Sequence, residues 1–255
     1  MDTFNWFDSE DHSPSVIRPE LQDKEGDQLP TNLLVVFAKD VLDGLRADLN
    51  LTRSDRDLYF FGGSTALYLN ESKSVVLIEG TISAPIGISA IQTAISRGVT
   101  RVFVVGLCGA VDNSLVVGNL VLPSECVREE GTSFHYMASN KLAVPNVELR
   151  QDLEAYLAKL ARPYRAGKTV STDAPYRQTT QTELNWRHNG VLGVDMEMSA
   201  VFALCEHQKT PSVGLFVVSD AHDLTETVDW EWNRDLFRRT LRDAIRMMLD
   251  FAEGY

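Results

Sequence analysis

The chain has 255 residues, 44% of them hydrophobic and 24% charged, which allows one large α/β domain or two small ones around a sizeable core. Its formal net charge of −12 repels phosphate backbones and anionic lipid, so neither a nucleic acid nor a membrane is an expected partner, while a local pocket can still take a small anion. Three cysteines without CxxC spacing, and an amino terminus with no basic segment leading into an apolar core, predict a soluble, cytoplasmic protein.

Residues 1 to 28 are acidic and polar and read as an extension, in which Phe4, Trp6 and Phe7 are able to pack on a neighbouring surface. Residues 29 to 255 form the expected domain. After Pro30, short continuous apolar runs predict strands buried on both faces at residues 33–37, 75–78, 102–105, 119–123 and 212–218. Helical spacing occupies residues 86–96 and 147–160. In the last segment Leu236, Phe237, Leu241, Ala244, Ile245, Met248 and Leu249 share one helical face, with Arg238, Arg239, Arg242 and Arg246 around the remainder as solvated charges. Alternating strands and helices predict a single α/β domain with a mostly parallel sheet flanked by helices.

Two short motifs carry the chemistry. Gly193-Val194-Asp195-Met196-Glu197-Met198-Ser199-Ala200 reads as a strand end feeding a helix, and Val217-Val218-Ser219-Asp220 as a buried strand ending on an acid. Two carboxylates at strand ends can share a pocket, one holding a sugar diol and the other protonating a leaving group, as cleavage of a glycosidic bond to a nucleobase requires. Asp220 has a competing reading as the cap of a following helix, and His222 and Asp223 read as exposed loop groups. Gly167-Lys168-Thr169 is similar to the tail of a P-loop, but Arg162 stands where its first glycine belongs. With no HExxH and no clustered Cys/His, no metal or cofactor is expected.

Gly106-Leu107-Cys108-Gly109-Ala110 follows a buried strand, and with Asp112 and Gly118-Asn119-Leu120-Val121 it resembles the signature of the purine and uridine phosphorylase family, which also contains nucleosidases. The resemblance continues in order through residues 127–136, Ser171-Thr172-Asp173-Ala174-Pro175-Tyr176-Arg177, Val194-Asp195-Met196-Glu197 and Ser219-Asp220. It implies a sheet partly curled into a barrel and a homo-oligomer, either a dimer or a trimer of dimers. By the same resemblance, Glu197 grips the ribose hydroxyls, Met196 lines the sugar, and Asp220 protonates the imidazole side of the leaving base. That last role needs a raised pKa, which burial behind an apolar strand supplies.

Tyr176 falls where family members stack an aromatic ring on the base, with Pro175 in place of the phenylalanine typical of purine members. Arg177 and Gln178 are the candidates for reading the base, because the uracil-reading Gln and Arg of uridine-type members fall on Thr179 and Gln181. The largest departure concerns phosphate. The family's G-D-P-x-R aligns with Lys39-Asp40-Val41-Leu42-Asp43, and the arginine and hydroxyl residue flanking the central glycine become Val104 and Leu107. Gly106, Lys39 and Arg128 are the candidates for a nucleophile pocket, with Arg177, or Arg53 and Arg56 from a neighbouring subunit, as further cations. Phosphorolysis of a purine ribonucleoside, hydrolysis by water, and nucleoside binding without turnover all remain open at this level.

Overall fold

The computed structural model describes residues 11, 13–24, 26–224 and 234–255; the candidate packing residues Phe4, Trp6 and Phe7 lie outside them. The expected strands appear as β1 (Asn32–Phe37), β4 (Val75–Glu79), β5 (Arg101–Ala110), β6 (Leu120–Glu129) and β9 (Ser212–Asp220). Four more complete the sheet: β2 (Thr52–Phe60), β3 (Gly63–Leu69), β7 (Arg165–Thr172) and β8 (Val191–Asp195). The helices are α1 (Leu42–Leu45), α2 (Ala84–Ser96), α3 (Val147–Lys159), α4 (Thr180–His188), α5 (Met198–His207) and α6 (Arg234–Glu253).

Among the described residues, the nine strands belong to one mixed sheet in the order β2-β3-β4-β1-β5-β8-β7-β6-β9, and β9 returns to pair with β5. That closure makes β5, β8, β7, β6 and β9 a five-stranded barrel, with the other four strands as an open wing. The wing ends in the antiparallel pairs β2–β3 and β3–β4, while β4–β1–β5 is parallel. The charged, mostly exposed β2 is the outer strand, where charge suits an unpaired edge.

Alternation along the parallel strands feeds two cores. Leu33, Val35, Val76, Ile78 and Val104 face α2 and α5 through Ile88, Ile91, Val201 and Phe202. Leu34, Val36, Leu77, Phe103 and Val105 face α3 and α6 through Leu153, Leu157, Leu241, Ile245 and Met248. Each such buried aliphatic side chain contributes about 1.5–3 kcal/mol, so these two layers fix the C-terminal ends of β5, β8 and β9 in place. Part of the acidic extension is also docked, because the carboxylate of buried Asp23 pairs with the Arg97 guanidinium just beyond α2.

Candidate active site

Strand β5 is the pivot of the site. At its C-terminal end Gly109 faces Val194 of β8 on one side and Asp220 of β9 on the other. The β5–β9 ladder runs in step to Cys108 opposite Val218 and then skips Ser219, so that Asp220 stands opposite Gly109. This bulge selects Asp220, not Ser219, as the residue beside the glycine. A side chain at 109 would put its Cβ 3.1 Å from Asp220 Oδ2, so the glycine leaves room for the acid. Ser219 Oγ donates to Asp220 Oδ1 at 2.6 Å and lies 3.3 Å from the Cys108 carbonyl oxygen. Asp220 is 6% exposed, and burial raises its pKa against the lowering effects of the Ser219 hydroxyl and His222. No helix follows it through residue 224, which removes the helix-cap reading.

Asp195 ends β8 and turns the chain into α5. Its Oδ2 accepts from the backbone N–H groups of Glu197 at 2.8 Å and Met198 at 2.7 Å, and its Oδ1 accepts from Ser171 Oγ at 2.5 Å. Ser171 Oγ in turn accepts from the N–H of Ser199, whose own hydroxyl donates to Glu130 Oε1 at 2.8 Å. A carboxylate satisfying the first N–H groups of a helix fixes that helix's entry, and here it also fixes the backbone that presents Glu197. The Glu197 side chain is held at its far end, where Oε1 accepts from the N–H of Ser83 at 2.7 Å. Ser83 has φ 127°, a region costly for a residue with a side chain, and it lies at the N-terminus of α2 beside this bond.

Both acids of this pair titrate high. Burial raises Asp195 to about 6 against its three hydrogen bonds, and burial followed by the Asp195 charge raises Glu197 to about 8. An unfolded glutamate titrates near ~4.3, so the folded chain binds the extra proton between that value and about 8. This contribution to stability is complete below the unfolded pKa and is lost as pH rises through the folded one. Glu197→Gln keeps an acceptor for Ser83 but does not ionise. Its melting temperature relative to the parent should therefore climb as pH increases from about 5 to about 9. Melting temperatures that keep a constant difference across that range would remove Glu197 as the group concerned.

Glu197, Met196, Asp195 and Asp220 line one cavity of about 540 Å³, together with Lys39, Thr172, Pro175 and Gln178. Its apolar wall includes Phe37, Ile82, Leu107, Phe237 and Leu241. The other expected site residues are elsewhere. Tyr176 is fully exposed and Arg177 is exposed, and neither lines the cavity, so the aromatic rings that do are Phe37 and Phe237. Gly106 sits inside β5, where an added Cβ would meet the Phe216 ring at 3.0 Å, one residue short of the lining. Arg128 is consumed in its own neighbourhood. It bonds Ser133 Oγ and the carbonyls of Met137, Ala138 and Lys141, and it lies over the Phe134 ring. Arg53 pairs with Asp57, and Arg56 approaches Asp23 at 3.9 Å.

The cation that sequence reasoning missed is Arg238, which joins Lys39 at the cavity. It borders the apolar stripe of α6 next to Phe237, a position that helical spacing alone assigns to solvent. The loop after β1 holds a second surprise. Asp40 adopts φ 56°, and the N–H groups of Asp40, Val41 and Leu42 converge on the Glu79 carboxylate at 3.0, 2.6 and 2.6 Å. A run of backbone N–H groups turned to one side is an anion cradle, and here a resident carboxylate fills it. His222 is largely buried, not a solvated loop group, with Nε2 3.0 Å from Glu183 Oε1.

Among the described residues no set of three or more His, Cys, Asp or Glu side chains is placed to hold a metal, and no helix is long and apolar enough to cross a membrane. A family profile described as the phosphorylase superfamily matches residues 44–252. The chain is 28% identical to guanosine phosphorylase of Halorubrum lacusprofundi over 127 residues, which is 50% of this chain and 53% of that protein. It is 27% identical to a DeoD-type purine nucleoside phosphorylase of Brevibacillus brevis, over 74% of this chain and 79% of the relative. A uridine phosphorylase of Haemophilus influenzae matches at 28% identity over 54% of this chain and 60% of its own length. Among solved structures, uridine phosphorylase of Vibrio fischeri shares the fold with a TM-score of 0.75 at 21% identity, covering 89% of this chain and 94% of that one. Purine nucleoside phosphorylase of Toxoplasma gondii, in complex with immucillin-H, superposes with a TM-score of 0.73 at 15% identity, over 94% and 97% of the two chains. With the profile spanning most of its length, the chain belongs to the phosphorylase superfamily.

Proposed function

We propose that the cavity binds a purine ribonucleoside and cleaves its N-glycosidic bond, with phosphate as acceptor, yielding pentose 1-phosphate and free base. The observation that carries this reading is the convergence of two buried carboxyl groups on one cavity, Asp220 at the end of β9 and Glu197 just past the end of β8, the two strands that flank Gly109. Glu197 would hold the ribose hydroxyls. Positive charge developing on the sugar would favour its ionised form, so that the contact tightens toward the transition state. The electrons of the breaking C–N bond pass to the base, and Asp220 supplies the proton that neutralises its imidazole side. A phosphate oxygen then forms the new bond to the anomeric carbon. Lys39 and Arg238 are the cations at the cavity that suit a dianion. The relatives named purine nucleoside phosphorylase and the acid at 220 favour a purine. A homo-oligomer fits the resemblance as well.

A second reading, in which water replaces phosphate, is favoured by one specific observation. The N–H cradle beside Lys39 already holds Glu79, and apolar Val104 and Leu107 stand where donors are expected. Release of free base from purine nucleosides, followed with and without phosphate, separates the two. Phosphorolysis predicts turnover that saturates with phosphate and stops in its absence. Undiminished turnover in phosphate-free buffer would assign the acceptor role to water.

A further inference from the structure

The cavity wall near Thr172 and Pro175 carries one neutral amide, Gln178, and the way it is held restricts what it can recognise. Its Nε2 donates to Oε1 of Glu183, a residue of α4 that is 1% exposed and does not line the cavity. Glu183 also meets Nη2 of Arg187 at 3.3 Å through Oε2 and Nε2 of His222 at 3.0 Å through Oε1. Arg187 is anchored in turn, with Nε donating to the Val111 carbonyl at 2.6 Å and Nη2 lying 3.3 Å from the His222 carbonyl. The cluster thus ties α4 to the chain leaving β5 and the chain leaving β9, the same two strands that build the acid site.

A carboxylate that faces a guanidinium only accepts hydrogen bonds, so the chemistry of Glu183 dictates which end of the Gln178 amide turns toward it. With the nitrogen held by Glu183, the carbonyl oxygen Oε1 is the end left for a ligand. The amide cannot reverse without placing its oxygen against the carboxylate. Asp220 also reaches this cavity, with Ser219 already donating to it.

We propose that Glu183 is a positioning residue that fixes Gln178 with its carbonyl toward the base, so that the site selects nucleobases presenting an N–H donor at that edge. The inference rests on the nucleoside reading given above and narrows it to bases with an amino group or a protonated ring nitrogen. An unmade hydrogen bond to an oriented, partly buried acceptor costs more than the bond itself contributes, so discrimination falls on the analogue that lacks the donor.

The test compares adenosine, inosine and guanosine with purine riboside, whose base carries no exocyclic amine and no N–H. In the parent protein, kcat/KM for the best of the first three should exceed that for purine riboside. Gln178→Met should shrink that ratio by about tenfold, because it removes the acceptor without touching the sugar site. Glu183→Gln can offer its own N–H, lets the Gln178 amide turn over, and should shrink the ratio too. The methionine variant decides the matter if the second fails to fold. A ratio unchanged in Gln178→Met, or an equal loss on all four nucleosides, would overturn the proposal. Equilibrium binding of the same four nucleosides separates this from the reaction itself. Binding with the predicted preference but no turnover would refute the cleavage reading alone, whereas binding without preference, or no binding at all, would refute this one.

Discussion

Asparagine at position 220 is expected to lower kcat/KM for a purine nucleoside by about 10²–10⁴-fold, the usual contribution of a positioned general acid. The side chain keeps its shape, and Oδ1 still accepts from Ser219, so the strand end and the bulge are preserved. What is lost is a proton that burial holds on the carboxyl above the ordinary aspartate range. A riboside of a nitrophenol needs no proton to release its leaving group, and its loss should stay within about tenfold. The measurement is kcat/KM for the two substrates in parent and variant. Equal losses on both would take Asp220 out of the acid role and leave it a structural carboxyl.

Alanine at position 197 should cost about 10²–10³-fold in turnover of every ribonucleoside, whatever the base, since the sugar is common to all. The natural control is a nucleoside lacking both the 2′ and 3′ hydroxyls. If Glu197 acts through the diol, this compound is a poor substrate for the parent and suffers little further loss in Glu197→Ala. A uniform loss on sugar-complete and sugar-stripped substrates would mean that the variant had disturbed the cavity instead, for example by freeing the Ser83 N–H that Glu197 now satisfies.

Much of the fold was legible because strands buried on both faces write continuous apolar runs. β1, β4, β5, β9 and the first part of β6 did so, and α2, α3 and α6 showed their spacing. β2 and β3 hid because β2 carries charges on an exposed edge, whereas the end of β8 was marked by its turn into α5. β7, with its Arg, Gly and Lys, buries only its second half. The same division runs through the site. Glu197 and Asp220 stand next to strand ends that the sequence marks, and both reach the cavity. Arg128 carries the right charge in the right motif, yet the carbonyls of residues 137, 138 and 141 claim it, and only the folded loop reveals that. Glu79 and the loop after β1 lie nearly 40 residues apart, and no local pattern announces that one fills the other.

The skipped residue in the β5–β9 ladder has a consequence for how this chain can vary. Which side chain stands beside Gly109 is specified here by a count of residues as much as by the presence of an aspartate. In a chain with the same letters but an unbroken ladder, Ser219 would stand opposite Gly109 and the acid would fall one position further along, on the other face of the strand. The register of this ladder, and not the motif letters alone, therefore decides whether an acid stands at the glycine.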